Sequence, residues 1–412
     1  MWTLRTRISA LRGAIIWCLF FNFNLNIDGV QIPLGAINVA SSTVQAVESL
    51  VETTLGEFLA VTTNNLLTNA LSSRMTNVKG CSTEPFVHAI YGHSRNDIVK
   101  EYSRKDDTYG LVLGVDNVWT FADEKYFCLG AALGYVHGKT TPSDNFVLAK
   151  TTGIVSEKAF DGLDSADIAA RCFGTDFRHD VYAVRLFGAY ESFNDKCLKT
   201  SIGVILGYNH GRNKFHMDIP DRLISDDATV TNPLDIKFIS SGISLGVEFI
   251  KNLYAYEGYQ FGLWFQANYA HVFQDVDVVE PELTISGKDS NTYYDAKFSH
   301  DFLATTIGLN VEKEAFKRAD KKLTLSLKAG WECRVIQNFN TRPVGLITTV
   351  STDKDNDRYV QKPPSPRKNA AVISFGASQK LNDHWSIAGS YSARFNKDLL
   401  AHSLTGGVEY DF

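Results

Sequence analysis

The chain has 412 residues, 41 basic against 46 acidic side chains, and a formal net charge of −5. No basic stripe suited to a nucleic-acid partner is present, and the one cluster, Lys317, Arg318, Lys321 and Lys322, reads as a solvated turn. Aromatics make up 12% of the sequence and mean hydropathy is slightly negative, while no uninterrupted apolar run of about 18 residues occurs, which excludes a bundle of membrane-spanning helices.

Residues 1–26 read as an export signal, with Arg5, Arg7 and Arg12 ahead of the apolar stretch from Ala14 to Leu25. The nearest small-residue exit ends at Asn38-Val39-Ala40, and residues 27–41 are read as a short linker or residual passenger. Between Ser42 and Met75, Val44, Val47, Val51, Leu55, Phe58, Leu59, Leu66, Leu67 and Leu71 recur at three- and four-residue steps. That period predicts an amphipathic helix within residues 42–80. About 30 helical residues reach about 45 Å, more than the apolar band of a barrel at about 25 Å, so such a helix is long enough to thread a pore.

From about Glu84 the period changes to two. In the segment Asp107 to Asp116, Tyr109, Leu111, Leu113 and Val115 share one face, with Thr108, Gly110, Val112, Gly114 and Asp116 on the other. The next segment puts Phe127, Leu129, Ala131, Leu133 and Tyr135 on one face and Gly130, Ala132 and Gly134 on the opposite one. Aromatics bracketing aliphatics is the order a bilayer imposes, since Tyr and Phe settle at the headgroups and aliphatic chains between them. The alternation recurs over Tyr182 to Tyr190, Ile202 to Tyr208, Ile243 to Phe249, Phe261 to Tyr269 and Thr305 to Val311. With Phe86 to Gly92, Leu323 to Val335, Ala371 to Gln379, Trp385 to Phe395 and Ser403 to Phe412, the count comes to about twelve. Short and long connections alternate, the long ones holding Lys139 to Arg178, Arg212 to Asp235, Gln274 to Phe298 and Asn338 to Lys368. The predicted fold is a membrane all-β structure, an antiparallel transmembrane β-barrel of about twelve strands over residues 81–412, with the N-terminal α-helix in its pore. Its long loops face the cell exterior.

Several strings resemble the autotransporter β-domain: Thr108-Tyr-Gly-Leu-Val-Leu-Gly-Val-Asp116, Leu129-Gly-Ala-Ala-Leu-Gly-Tyr-Val136 and the terminal Gly406-Gly-Val-Glu-Tyr-Asp-Phe412. The resemblance runs over roughly Ser42 to Phe412. It implies a bacterial outer-membrane barrel that assists passage of an attached N-terminal passenger and keeps a helix in the pore. Its expected partners are outer-membrane lipid, the barrel-assembly machinery and periplasmic chaperones. Thr405, Gly407, Tyr410 and Phe412 look like the assembly signal such machinery reads on a final strand, whose free edge must then pair with the first strand to close the barrel. Only about fifteen residues lie between the signal and the helix, so a large passenger is not expected.

Asp116, Arg185, Glu248, Glu312, Lys328, Glu332, Arg334, Arg394, Glu409 and Asp411 fall on the faces opposite the aliphatic ones and are read as lumen-facing, a mixed lining that packs a helix more readily than it selects ions. Asn64 and Asn65 resemble the paired asparagines at which some autotransporters cut themselves, a reaction that needs an Asn side chain to attack its own backbone carbonyl with help from a lumenal carboxylate. Six cysteines occur (Cys18, Cys81, Cys128, Cys172, Cys197, Cys333), without CxxC or Cys/His metal spacing, and a Cys172–Cys197 bridge is one open possibility. No nucleophile elbow, phosphate-binding loop or zinc motif appears, so no catalytic, cofactor, metal or small-molecule site is expected. Competing readings are a porin-like channel, an adhesin presented on the long loops, a rim hydrolase with a Ser or Asp beside a His, and a soluble β-sandwich whose Tyr and Phe faces pack together.

Overall fold

The computed structural model describes residues 24–27, 30–33, 58–76, 83–99, 102–122, 124–142, 176–194, 197–217, 228–230, 234–277, 282–285, 288–291, 293–318, 321–341, 344–347, 358–359, 369–382, 384–397 and 399–411. The expected export signal lies almost wholly outside these residues, as do residues 42–57 of the expected helix, Cys172 and Phe412.

Twelve strands close into one antiparallel barrel. They are β1 (Thr83–Val99), β2 (Tyr102–Ala122), β3 (Lys125–Pro142), β4 (Asp176–Phe193), β5 (Lys199–Met217) and β6 (Leu234–Tyr256). They continue as β7 (Tyr259–Asp277), β8 (Tyr293–Arg318), β9 (Lys321–Thr341), β10 (Asn369–Lys380), β11 (Trp385–Phe395) and β12 (Leu399–Tyr410). Each pairs with its sequence neighbour, and β12 closes on β1 from Glu409↔Phe86 to Leu399↔Asn96. Closure leaves no edge, which is what lets a sheet cross hydrocarbon without unpaired backbone groups.

Every connection at one barrel end is tight. At Glu257–Gly258, between β6 and β7, both residues have positive φ (47° and 79°), matching the twist of the flanking strands. At the other end lie the four long connections, into which some strands extend: β8 alone has 26 residues. This differs from the sequence expectation, which limits strands to the alternating segments and places about thirteen residues between the first two. In the structure β1 runs to Val99 and β2 begins at Tyr102, the two strands staying paired up to Val99↔Tyr102. The physical reason is that lipid imposes alternation only within its own thickness, whereas backbone pairing continues into water irrespective of side-chain pattern. Small sheets decorate this end, one joining Ala228–Val230, Glu282–Ile285 and Lys288–Asn291.

The outer surface is apolar: Leu111, Leu113, Val115, Leu129, Leu133, Leu186, Leu206, Ile307 and Leu309 are all exposed. Among the described residues nothing packs against these faces, so the sandwich reading is overturned. On β2, ten residues separate Tyr109 from Trp119. At about 3.3 Å per residue and a tilt of about 40°, that is roughly 25 Å along the membrane normal, the height of a barrel's apolar band. Near the tight-turn end Trp119 stacks on Phe127 (5.9 Å) and Trp385 meets Tyr410 edge-on (4.9 Å), forming part of one aromatic girdle. The protein is a transmembrane barrel.

Candidate functional site

Among the described residues the lumen holds one helix, α1 (Asn64–Thr76), preceded by a wider π-helical turn at Phe58–Thr63. Together these nineteen residues reach about 28 Å, enough to fill the apolar band. Arg74 bonds to groups at the tight-turn end, so α1 runs with its C-terminus there and its N-terminus toward the long loops.

Two faces of α1 meet two different walls. Leu67, Ala70, Leu71 and Met75 are fully buried in one cluster with Val112, Ala132, Val136, Phe187 and Ile205 from β2 to β5. Glycines on that wall make room: a Cβ at Gly134 would stand 2.9 Å from a Leu67 methyl, and one at Gly203 would stand 2.8 Å from Met75. On the opposite side Asn65, Asn69 and Ser72, at helical spacing, line a cavity of about 70 Å³ against β9 to β11. Asn69 donates to the Ser403 hydroxyl (3.3 Å), and Ser72 to Glu248 (2.8 Å). A second cavity of about 60 Å³ lies near Val61 and Arg394, and one of about 240 Å³ opens at the tight-turn mouth beside Glu84, Lys199 and Glu409.

Charge pairing ties the helix to the wall. The Arg74 guanidinium donates to Asp116 (Nε to Oδ2, 2.7 Å), lies 2.9 Å from Glu409 and also bonds Glu84. His88 stands 3.6 Å from Glu409. Higher up, Glu248 accepts from Lys328 (2.5 Å) and from the Trp264 indole (3.0 Å). Arg185, fully buried, donates to Asn64 (2.9 Å), Asn209 (2.7 Å) and the backbone carbonyls of Val184 and Tyr208. Glu312 pairs with Lys199 at 2.5 Å, while Glu332 pairs with Arg394 and lies 4.0 Å from Arg334. Ion pairs out of water hold only when hydrogen bonds meet both partners, and here almost every buried charge has such a partner.

Asn64 Oδ1 accepts from both Arg185 and Asn209. The carboxylate nearest the helix midpoint, Glu248, is bonded eight residues further along at Ser72, about 12 Å down the axis. Glu248 is thus held away from the Asn64–Asn65 bond, whereas Glu332 lines the same cavity as Asn65 and is paired there with Arg394.

On the closing strand, Thr405 is buried and shares a 2.6 Å hydrogen bond with Ser390. A Cβ at Gly407 would stand 2.3 Å from the His88 ring, so only glycine fits against that lumenal side chain. Tyr410 sits between Trp385 and His384. Cys128 is buried and Cys197 and Cys333 are exposed, and none of the three forms a disulfide among the described residues.

Sequence reasoning passed over Arg74, Glu84 and Lys199. Arg74 had a signal, being the sole Lys or Arg between Arg12 and Lys79 and lying within a predicted pore helix. Lys199 had none, because its partner Glu312 is 113 residues away.

No protein-family model matches the sequence, and no curated protein matches it. In structure the chain is similar to the translocator domain of the autotransporter NalP from Neisseria meningitidis, with TM-score 0.54 and 12% identity over 90% of this chain and 99% of that one. It is also similar to the β domain of the Bordetella autotransporter BrkA (TM-score 0.49, 12% identity, 80% and 100% covered). A third similar structure is the transport unit of AIDA-I from Escherichia coli (TM-score 0.49, 14% identity, 85% and 98% covered). At 12% identity the likeness to NalP is one of fold: the chain has the architecture of an autotransporter translocator barrel.

Proposed function

We propose that this protein is an outer-membrane translocator or surface-display barrel of the autotransporter type, with α1 as the segment that holds the pore and leads the preceding chain outward. One observation carries the reading: α1 lies along the lumen with its N-terminus toward the long-loop end, so whatever chain precedes it is delivered to that mouth. The barrel-assembly machinery and periplasmic chaperones are the partners proposed for its insertion, with Thr405, Gly407, Tyr410 and Phe412 as the assembly signal. Asn64–Asn65 cleavage is not part of this reading, and the barrel itself is assigned no chemical step.

The test is an epitope inserted between residues 40 and 42 of the full chain, followed in intact cells. Digestion of the epitope by added protease is the expected result. Protection in intact cells, with digestion only after the outer membrane is opened, overturns the proposal.

A channel is the second reading, favoured by the cavities that flank α1. It predicts steady conductance with the helix in place, where the first reading predicts a closed pore that opens on deletion of residues 58–76.

A further inference from the structure

Tyr-x-His recurs on the outer face of four strands that ascend toward the long-loop end, at Tyr91-x-His93, Tyr135-x-His137, Tyr208-x-His210 and Tyr269-x-His271. Tyrosine marks the headgroup level, and alternate residues share a face, so each histidine stands one step nearer the water. Directly opposite these histidines, on the strand that follows, lie Asp107, Asp180, Ser241 and Asp301. On the other side lie, in the same order, His402, Tyr109, Tyr182 and Ile243. Of the four, His93 alone faces a second histidine, and it does so across the closing seam between β12 and β1.

Both rings of this pair are held by the edge turned away from the seam. Asp107, on the β2 side, accepts from His93 Nδ1 (2.7 Å). Tyr391, on the β11 side, bonds His402 Nδ1 through its hydroxyl (2.6 Å) and stacks on the ring at 5.9 Å. The two nitrogens of an imidazole face nearly opposite ways, so an Nδ1 turned from the seam turns Nε2 toward it and toward water. Neither Nε2 has a hydrogen-bond partner among the described residues. Outward side chains directly opposite one another have Cβ atoms about 4.5–5.5 Å apart. Converging Nε2 atoms come closer than that, within reach of the roughly 3.4 Å that two bonds of about 2.1 Å span at tetrahedral geometry. A second ring nitrogen that donates to a carboxylate is what fixes the tautomer of a metal-binding histidine and raises its basicity, as Asp107 does for His93. His402 is set in the same way when its Nδ1–H donates to the Tyr391 oxygen.

We propose that His93 and His402 bind one divalent transition-metal ion of the zinc class through their Nε2 atoms and so clip β12 to β1. Imidazole suits zinc, and water fills the remaining coordination positions at this depth. With two protein ligands, and Arg95 two residues farther out on the same face, the site is weaker than a closed four-ligand one. The β12–β1 seam is the one strand junction of the barrel without a connecting loop. A clip there joins residues far apart in sequence, where closing a long loop gains most. The site depends on the barrel fold and its register, not on any passenger.

The test uses the untagged full chain assembled in phosphatidylcholine nanodiscs, with Zn²⁺ alone as the probe and calorimetry reading uptake. Wild type should take up one ion per barrel. H93Q and H402Q should each lose it, and D107N should bind about tenfold more weakly. H271Q should retain it, since Asp301 and Ile243 stand opposite His271. Zinc should also raise the temperature at which heat-modifiable mobility is lost in wild type and H271Q, and leave it unchanged in H93Q and H402Q. No uptake by the assembled wild type, uptake that survives H93Q or H402Q, or uptake without a rise in that temperature overturns the clip. If a ligand variant does not assemble, Cu²⁺ bound to wild type decides: electron paramagnetic resonance should show coupling to two nitrogens, and coupling to fewer overturns the site. Wild type that forms no heat-modifiable barrel overturns the seam and the fold with it.

Discussion

Replacing Arg74 by methionine isolates what holds the helix in the pore. The substitution keeps much of the side chain's length but leaves Glu84, Asp116 and Glu409 facing one another at side-chain exposures of 14%, 1% and 12%. Removing one partner of a buried ion pair costs about 3–5 kcal/mol, because the remaining charge is left without a counterion out of water. In this barrel the cost falls on one state only. With α1 withdrawn, water reaches the three carboxylates and the penalty disappears, so the whole difference bears on docking. At about 1.4 kcal/mol per decade, the ratio of undocked to docked helix rises by a factor on the order of a hundred to several thousand. Planar-bilayer recording of the purified protein reads this ratio as open time: wild type rarely conducts, and R74M shows frequent, long openings. Adding D116N and E409Q should restore closure, since two of the stranded charges are then gone and the effects of contacting residues are not additive. If R74M stays as closed as wild type while its heat-modifiable mobility shows an intact barrel, the ion cluster does not hold the helix and the reasoning fails.

Other perturbations reach the remaining layers of the structure. Gly203→Leu overfills the wall against Met75, where a Cβ alone would stand 2.8 Å from that side chain; the expected loss in helix docking is about 1–3 kcal/mol, seen as greater protease sensitivity of α1, with M75A restoring resistance. Leu186→Arg places a charge mid-band between Tyr182 and Tyr190 and should cost about 2–4 kcal/mol in folding measured by denaturant titration into vesicles, whereas Tyr182→Arg at the interface should cost no more than about 1 kcal/mol. Equal costs at the two depths would argue against the assigned membrane position. Deleting Phe412 or replacing Tyr410 by Ala should lower the amount of heat-modifiable barrel recovered from outer membranes; unchanged recovery would remove the terminal segment from assembly.

Much of this architecture is written locally in the chain. Tyr109, Leu111, Leu113 and Val115 face lipid because a bilayer sorts neighbouring side chains by depth and side, and a period of two in ten residues records that directly. Strand number, closure and the presence of a helix between Leu66 and Met75 follow from such short-range patterns. What the chain in one dimension did not reveal is pairing at a distance. Arg74 meets Asp116 and Glu409, 42 and 335 residues away, only because β12 closes on β1 and α1 lies in the lumen with its C-terminus at the tight-turn end. Lys199 likewise meets Glu312, 113 residues away, only across the closed barrel. The bilayer acts on each residue separately and so leaves its mark on the sequence, whereas register and helix direction are decided by the closed barrel as a whole.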